Sequence, residues 1–428
     1  MKYFNPANLA IIACPGGDVF ANEVIEHLRY KYRHSRKQTE EQISKRYNIS
    51  IEQAALHIDL TNRIVIRGTD SQSGNGRRTN GDFRVPVKFS LFPNGEVKSE
   101  IQESIRGKDV YIFQDVENHY PVKFAKGQVV DRFSINDHLM TIMVTVDAAR
   151  RAGADRITLV IPVYPYSRQH KARGREGLSA SRIGKIFESL GVNHIITLDL
   201  HSRDIINAFN KMRLEILHAS YQIIQTLTRM DGVLNDDFVV VSPDTGAVDR
   251  NKFYASALKK PLALLYKERD YSKISRDASR SNISQIRLLG NVQDKTVFMA
   301  DDMLGTGGTL IKGMRILKDN GARRIICAIS LPLFTGNAIT HLDEAYNEGL
   351  FYRIIGTNAV YQEDIVDREW YVKVSISSLF AHVISRLHQN QSVSSLLDNS
   401  RIITRLLSKT LNIEPQNELP FTDDEAEE

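Results

Sequence analysis

Cysteine is scarce in this chain. Cys14 and Cys327 are the two among 428 residues, and neither sits in a CxxC or similar spacing. That excludes a disulfide framework and a thiolate zinc site. Both lie in apolar runs, AIIACP and IICAIS, and are expected as buried free thiols. No apolar run approaches the ~20 residues of a membrane span. The first residues lack a basic stretch followed by a long apolar one, so no signal peptide is expected. Nor does any block of Lys and Arg interleave with aromatics. A formal net charge of +5 is too slight to point to nucleic acid and suits small anionic ligands instead. What remains is 42% hydrophobic and 25% charged, the balance of a globular protein, expected to be cytoplasmic. The length allows two or three domains and a sizeable core.

Short runs rich in β-branched residues recur along the chain: NLAIIAC (8–14), KDVYIFQ (108–114), RITLVIP (156–162), HIITLDL (194–200), DFVVVSP (237–243), KTVFMADD (295–302) and RRIICAISLP (323–332). Continuous apolar runs of this length suit parallel strands covered on both faces. Helical stretches lie between them; after Pro15-Gly16-Gly17, for example, Val19, Val24, Ile25 and Leu28 share one face. The spacing predicts an α/β fold of mainly parallel sheets flanked by helices. An internal echo points to duplication. Gly153-Ala154-Asp155-Arg156-Ile157 precedes one strand, and Gly321-Ala322-Arg323-Arg324-Ile325 precedes another 168 residues later. Each glycine stands where a helix would end. Residues 36–86 and 116–133 read as insertions into this scaffold. The first holds SQSGNGRRTNGD (71–82), a mobile loop by composition. The tail from 412, ending in DDEAEE, reads as disordered.

The stretch VFMADDMLGTGGTL (297–310) carries the clearest chemistry. A strand runs into adjacent Asp301 and Asp302 at its carboxyl end, where open α/β sheets bind ligands. Thr306-Gly307-Gly308-Thr309 then leads into a helix bearing Leu310, Met314, Ile316 and Leu317. A glycine-rich turn at a helix N-terminus presents backbone N–H groups to an anion, typically a phosphate. The carboxylates just before it suit hydroxyls or a magnesium-bound group. A sugar phosphate has both ends. Ser242-Pro243-Asp244-Thr245-Gly246 closes another strand, and YKERDYSK brings Lys267 and Arg269 close together ahead of a polar stretch. The bland readings of these are a turn aspartate and a solvated charge run.

ADDMLGTGGT resembles the phosphoribosyl-pyrophosphate signature of the type I phosphoribosyltransferase fold. With IPVYPYSRQHKARGREGLSA, HIITLDLHSRDIINAF, VVVSPDTGAVDR, YKERDYSK and SVSSLL, in that order, the chain resembles the ribose-phosphate pyrophosphokinases over about residues 8–35 and 87–397. The resemblance implies two duplicated phosphoribosyltransferase-type domains, at 1–200 and 201–411. It also implies transfer of the diphosphate of ATP to the anomeric hydroxyl of ribose 5-phosphate, with Mg2+. It assigns Lys267 and Arg269 to catalysis, on a flexible loop that continues into a mobile polar stretch, and Asp301, Asp302, Thr306, Gly307, Gly308 and Thr309 to ribose phosphate. Phe92, Asn94 and Glu96 of a hairpin, with Arg168 and Gln169, go to ATP. His201 and Asp244 go to the metal, and alternation along HIITLDLH sets Asp199 and His201 on one face. In the family the hairpin reaches a neighbouring subunit, so a homo-oligomer with shared sites is expected. No nucleic acid or membrane partner is. Gly305, His170 and Asp249 depart from the family pattern, in which aspartates are usual at the first two positions and a basic or small residue at the third. Two other readings stay open: a phosphoribosyltransferase, which Gly305 favours, and a catalytically silent regulatory subunit of a synthetase.

Overall fold

The computed structural model describes residues 8–66, 83–172, 174–230, 232–234, 237–269 and 283–411. The chain separates into two compact units. The first begins with β1 (Leu9–Ala13), α1 (Asp18–Tyr47), α2 (Ile51–Ile66), the hairpin strands β2 (Val87–Leu91) and β3 (Val97–Ile101), and β4 (Asp109–Phe113). A small pair, β5 (Val122–Lys123) and β6 (Val129–Val130), precedes α3 (Ile135–Arg151), β7 (Arg156–Val160), α4 (Ser179–Ser189), β8 (His194–Leu198) and β9 (Arg213–Leu217). The second unit holds α5 (Ser220–Arg229), β10 (Phe238–Ser242), α6 (Val248–Leu258), β11 (Leu262–Arg269), β12 (Ile283–Leu289), β13 (Thr296–Leu304) and α7 (Gly308–Asp319). It continues with β14 (Arg324–Pro332), α8 (Ala338–Asn347), β15 (Arg353–Thr357) and β16 (Tyr371–Val374). The chain then returns to the first unit with α9 (Ser377–His388) and α10 (Ser394–Leu397), and α11 (Ser400–Leu411) joins the second.

Both sheets are mainly parallel for a reason visible in their burial. β1 and β4 are buried at all five positions, which only helices on both faces allow. The first sheet runs β1-β4-β7-β8-β9, every pair parallel. The second runs β12-β11-β10-β13-β14-β15-β16, parallel except where β12 pairs with β11. After β10 the strand order turns outward on both sides, to β11 on one and β13 on the other. The second sheet therefore has a topological switch point between β10 and β13, where open sheets leave a crevice at the strand carboxyl ends.

The echo is structural. Gly153 and Gly321 both adopt φ +82°, one ending α3 before β7 and the other ending α7 before β14. Strand register extends the match. Arg156 lies beside Asp109, and Arg324 beside Thr296, so Gln114-Asp115 of the first unit corresponds to Asp301-Asp302 of the second.

One expectation changes. The first part of 36–86 is helical: α1 continues to Tyr47, stops at Asn48 in the left-handed region, and is followed by α2. Residues 71–82 and the tail from 412 lie outside the described residues. The 116–133 excursion is the β5–β6 pair and its connections. Cys14 and Cys327 are buried free thiols, as expected. No helix among the described residues is long and apolar enough to cross a membrane.

The returning helix α9 is clasped to the start of β4 and β7 within the first unit. Asp109 accepts from Arg156 Nε at 2.8 Å, His388 Nδ1 lies 2.8 Å from it, and Tyr111 OH donates at 3.1 Å. Arg156 also donates to Leu387 O at 2.8 Å and Asn390 Oδ1 at 2.9 Å. Burial pushes the Asp109 carboxyl up, but the bonds from Arg156 and His388 outweigh it and hold the carboxyl below the usual range. A carboxyl with a depressed pKa stabilises the fold above its unfolded pKa and loses that contribution as pH falls through the folded one. Asp109→Asn should therefore cost about 3 kcal/mol at pH 7, the typical loss when one partner of a buried pair is removed. Urea unfolding should show the gap to wild type narrowing as pH falls below about 4.

Candidate active site

Asp301 and Asp302 sit on β13 beside the switch point, both partly buried. β13 runs past them to Leu304, paired with β14 as far as Leu304 and Pro332, so the acids belong to a strand held on one edge. Asp301 Oδ1 accepts the Asp302 N–H, and Asp302 Oδ1 accepts the Met303 N–H, each at 2.9 Å. The Asp301 carboxyl is pushed up to about 7, first by burial, then by the charge of Asp302 and the hydrogen bond between the two side chains, with Asp244 adding to it. Burial and the neighbouring charge thus both favour a proton on Asp301 over a second negative charge in the ligand-free pair. A cation or a set of sugar hydroxyls brought to the pair would favour release of that proton.

The loop after the acids is built for an anion. Gly307 takes φ +78° and is the N-cap of α7, with no side chain capping the helix. The first N–H groups of a helix have no intrahelical acceptor, and here they face the loop with the positive end of the helix dipole. Thr306 and Thr309 are exposed and add hydroxyls. Gly308 is informative because its backbone does not require glycine: φ is ordinary, and a Cβ there would meet nothing within 4 Å. Glycine at such a place leaves the backbone open to close approach. Leu310, Met314 and Leu317 anchor the helix in the core with Met299, Ile325 and Cys327. Each such burial stabilises by roughly 1.5–3 kcal/mol.

Asp244 stands where β10 ends. Its Oδ1 accepts the N–H groups of Gly246 (3.0 Å) and Ala247 (3.1 Å), and Ser242 Oγ donates to its carbonyl at 2.7 Å. One carboxylate oxygen thus shapes the turn. Asn251 of α6, which sequence reading missed, is fully buried and bonds both the N–H and the C=O of Ala300, the residue before the acid pair. A polar residue on a helix flank beside a strand end was its one signal. Lys267 and Arg269 belong to strand β11 rather than to a loop, opposite Ile286 and Ile283 of β12. A register shift falls between Glu268 and Arg269, an irregularity that often occurs beside functional sites. The expected mobile stretch after them falls in 270–282, outside the described residues.

Phe92, Asn94, Glu96, Arg168, Gln169 and His201 belong to the first unit. The first three form the β2–β3 hairpin tip: Phe92 N–H donates to Glu96 O at 2.8 Å, Gly95 takes φ +90°, and Phe92 is 47% exposed. Arg168 and Gln169 are exposed on the loop after β7, next to Tyr166, which is strained at φ +57°. That loop meets the segment after β8, where the His170 and His201 rings lie 5.3 Å apart. The same-face argument for Asp199 and His201 does not hold. β8 ends at Leu198 and Asp199 turns left-handed at φ +40°, which breaks the alternation. His201 is exposed and Asp199 buried.

A family model described as the N-terminal domain of ribose phosphate pyrophosphokinase matches residues 81–191, and one described as the phosphoribosyl transferase domain matches 202–361. The ribose-phosphate pyrophosphokinase of Nostoc sp. is 32% identical over 313 residues, covering 73% of this chain and 86% of the relative. That of Bacillus subtilis is 32% identical over 312 residues, covering 71% and 87%. The crystal structure of phosphoribosylpyrophosphate synthetase from Mycobacterium smegmatis aligns with a TM-score of 0.64 at 24% identity, covering 90% of this chain and 99% of that one, a likeness of fold.

A carboxyl whose folded pKa is raised binds more protons in the folded state, so stability falls as pH climbs from the unfolded pKa to the folded one. For Asp301 that window runs from about 4 to about 7. Asp301→Asn, which keeps a donor toward Asp302, should raise the melting temperature of the ligand-free protein by a few degrees at pH 8. At pH 4 it should change little. Equal shifts at both pH values would contradict the raised pKa.

Proposed function

The chain belongs to the ribose-phosphate pyrophosphokinase family, and from that premise we propose how its residues divide the reaction. The activity is that of a ribose-phosphate diphosphokinase. The anomeric oxygen of ribose 5-phosphate bonds to the β-phosphorus of ATP, the bond from that phosphorus to the α,β-bridging oxygen breaks, and AMP leaves. The hydroxyl proton is lost to solvent or a nearby base.

The uncapped N-terminus of α7 beside an acid pair at the switch point carries this reading. The 5-phosphate sits against the N–H groups of Gly308 and Thr309, with Thr306 and Thr309 hydroxyls donating and Gly307 holding the turn. Asp301 and Asp302 accept from ring hydroxyls and so orient the anomeric oxygen. Lys267 and Arg269 stabilise charge on the transferring diphosphate. Phe92 stacks on adenine, Asn94 and Glu96 read its edge, and Arg168 and Gln169 hold ATP. The exposed hairpin tip fits a homo-oligomer in which it serves a neighbouring copy.

Mg2+ is the metal we propose. Such an ion keeps several waters and takes one or two protein contacts plus substrate phosphate oxygens. Among the described residues no three His, Cys, Asp or Glu side chains converge into a metal cage, and partly buried Asp244 and exposed His201 each fit as a single contact in their own unit. When bound, the ion neutralises phosphate charge and helps align attacking and leaving oxygens.

Purified protein with ATP, ribose 5-phosphate and Mg2+ should release AMP only when the sugar phosphate is present. Chromatography should show that release falling by at least about a hundredfold in Lys267→Ala. AMP formation independent of ribose 5-phosphate would contradict the assignment. Gly308→Ala separates binding from folding. The added methyl meets no protein atom, and alanine favours a helix by about 1 kcal/mol over glycine. The variant should melt no lower than wild type yet need much more ribose 5-phosphate for half-maximal rate.

A further inference from the structure

β10 pairs with β13 from Phe238 beside Thr296 to Val240 beside Phe298, and the ladder then stops. Two further residues of the same register would set Ser242 beside Ala300, with the Ala300 carbonyl aimed at the amide of residue 243. That residue is Pro243, which has no N–H to give. The first unit shows the intact arrangement. There the ladder continues to Ala13 beside Phe113, and Cys14 N–H donates to Phe113 O at 3.0 Å. By register Phe113 corresponds to Ala300 and Cys14 to Pro243.

Asn251 fills the gap. Its Oδ1 accepts the Ala300 N–H at 2.9 Å, and its Nδ2 donates to Ala300 O at 2.8 Å and Ala247 O at 2.9 Å. Both donors end on carbonyls and the acceptor on an N–H, so the partners fix which way the amide faces. The carboxamide copies the peptide edge of a parallel neighbour. It also ties β13, one residue before Asp301, to Ala247, whose own N–H donates to Asp244. A single buried side chain thus joins the strand of the acid pair to the Asp244 turn.

We propose that Asn251 is a positioning residue for ribose 5-phosphate: by replacing the rung that Pro243 cannot supply, it sets where Asp301 and Asp302 leave β13. This rests on the reading that the acid pair receives the sugar. Asn251→Ala would leave a buried N–H and C=O of Ala300 without partners and let the strand end shift.

The test is steady-state kinetics of full-length Asn251→Ala and Asn251→Asp, with Asp301→Asn alongside and amide hydrogen exchange at Ala300 as a structural readout. Asn251→Ala should raise KM for ribose 5-phosphate about tenfold and leave KM for ATP within about twofold. Exchange at Ala300 should quicken. Asn251→Asp keeps shape and the acceptor for the Ala300 N–H but loses both donors. It should keep Ala300 protected and still raise the ribose 5-phosphate KM, and it carries the test if the alanine variant does not fold. An unchanged ribose 5-phosphate KM in whichever variant folds, or equal rises in both KM values, overturns the proposal and leaves Asn251 a structural residue. An unchanged ribose 5-phosphate KM in Asp301→Asn overturns the reading of the acid pair itself, and the role of Asn251 with it.

Discussion

Two carboxylates forced together at the end of a buried strand are the constraint around which the second unit is arranged. Side by side and partly out of water, Asp301 and Asp302 cannot both ionise cheaply, and the raised pKa of Asp301 is the measure of that cost. Nothing about folding asks for them. The surrounding structure offsets the cost. β14 holds one edge of β13 to its end, Asn251 holds the other where β10 gives out, and the buried face of α7 locks the following loop. A ligand with hydroxyls at one end and a phosphate at the other, as proposed for this site, would relieve the repulsion and use the open amides together.

The two units show what this constraint means by contrast. At the place that corresponds to Asp301 the first unit has Gln114, buried and neutral. Its amide nitrogen lies 2.9 Å from His138 Nδ1 and donates to Pro15 O at 3.0 Å. That contact leaves His138 Nε2 to donate to Asn118 O at 2.8 Å, so the imidazole is neutral, and burial lowers its pKa. Where one half presents paired acids, the other closes the same sheet end with an amide–imidazole plug under the 116–133 excursion. One duplicated scaffold thus carries paired acids at this strand end in the second half and a buried neutral amide at the matching strand end in the first.

The first unit spends its polar contacts differently. Asp109, Arg156, His388 and Tyr111 gather at the opposite ends of the strands and clasp the returning helix α9, and Phe20 meets Phe380 edge-on 5.1 Å apart. Its exposed features are the hairpin tip at Phe92 and the loop carrying Arg168 and Gln169. The end of α1 beyond residue 35 and helix α2 fall between the two stretches of family resemblance and ahead of both family matches.

The local code was legible because its physics is local. Continuous apolar runs marked the strands, glycines marked helix ends, and the acid–glycine cassette pointed to an anion site, since each depends on residues adjacent in the chain. The helical character of 36–66 was hidden by polar composition, which says little about helix propensity. The placement of Asp199 failed because a strand's alternation ends wherever its ladder ends, and the neighbouring strand decides that. The role of Asn251 could not be read from its one sequence signal, a polar residue on a helix flank. Its role exists because Pro243, 8 residues before it, and Ala300, 49 residues after it, are brought to one strand edge. The sequence by itself determined the element types, the family and the chemistry of the cassette. Only the tertiary structure decided which backbone groups lacked partners, and so which side chain had to supply them, because a hydrogen bond is satisfied in space and not along the chain.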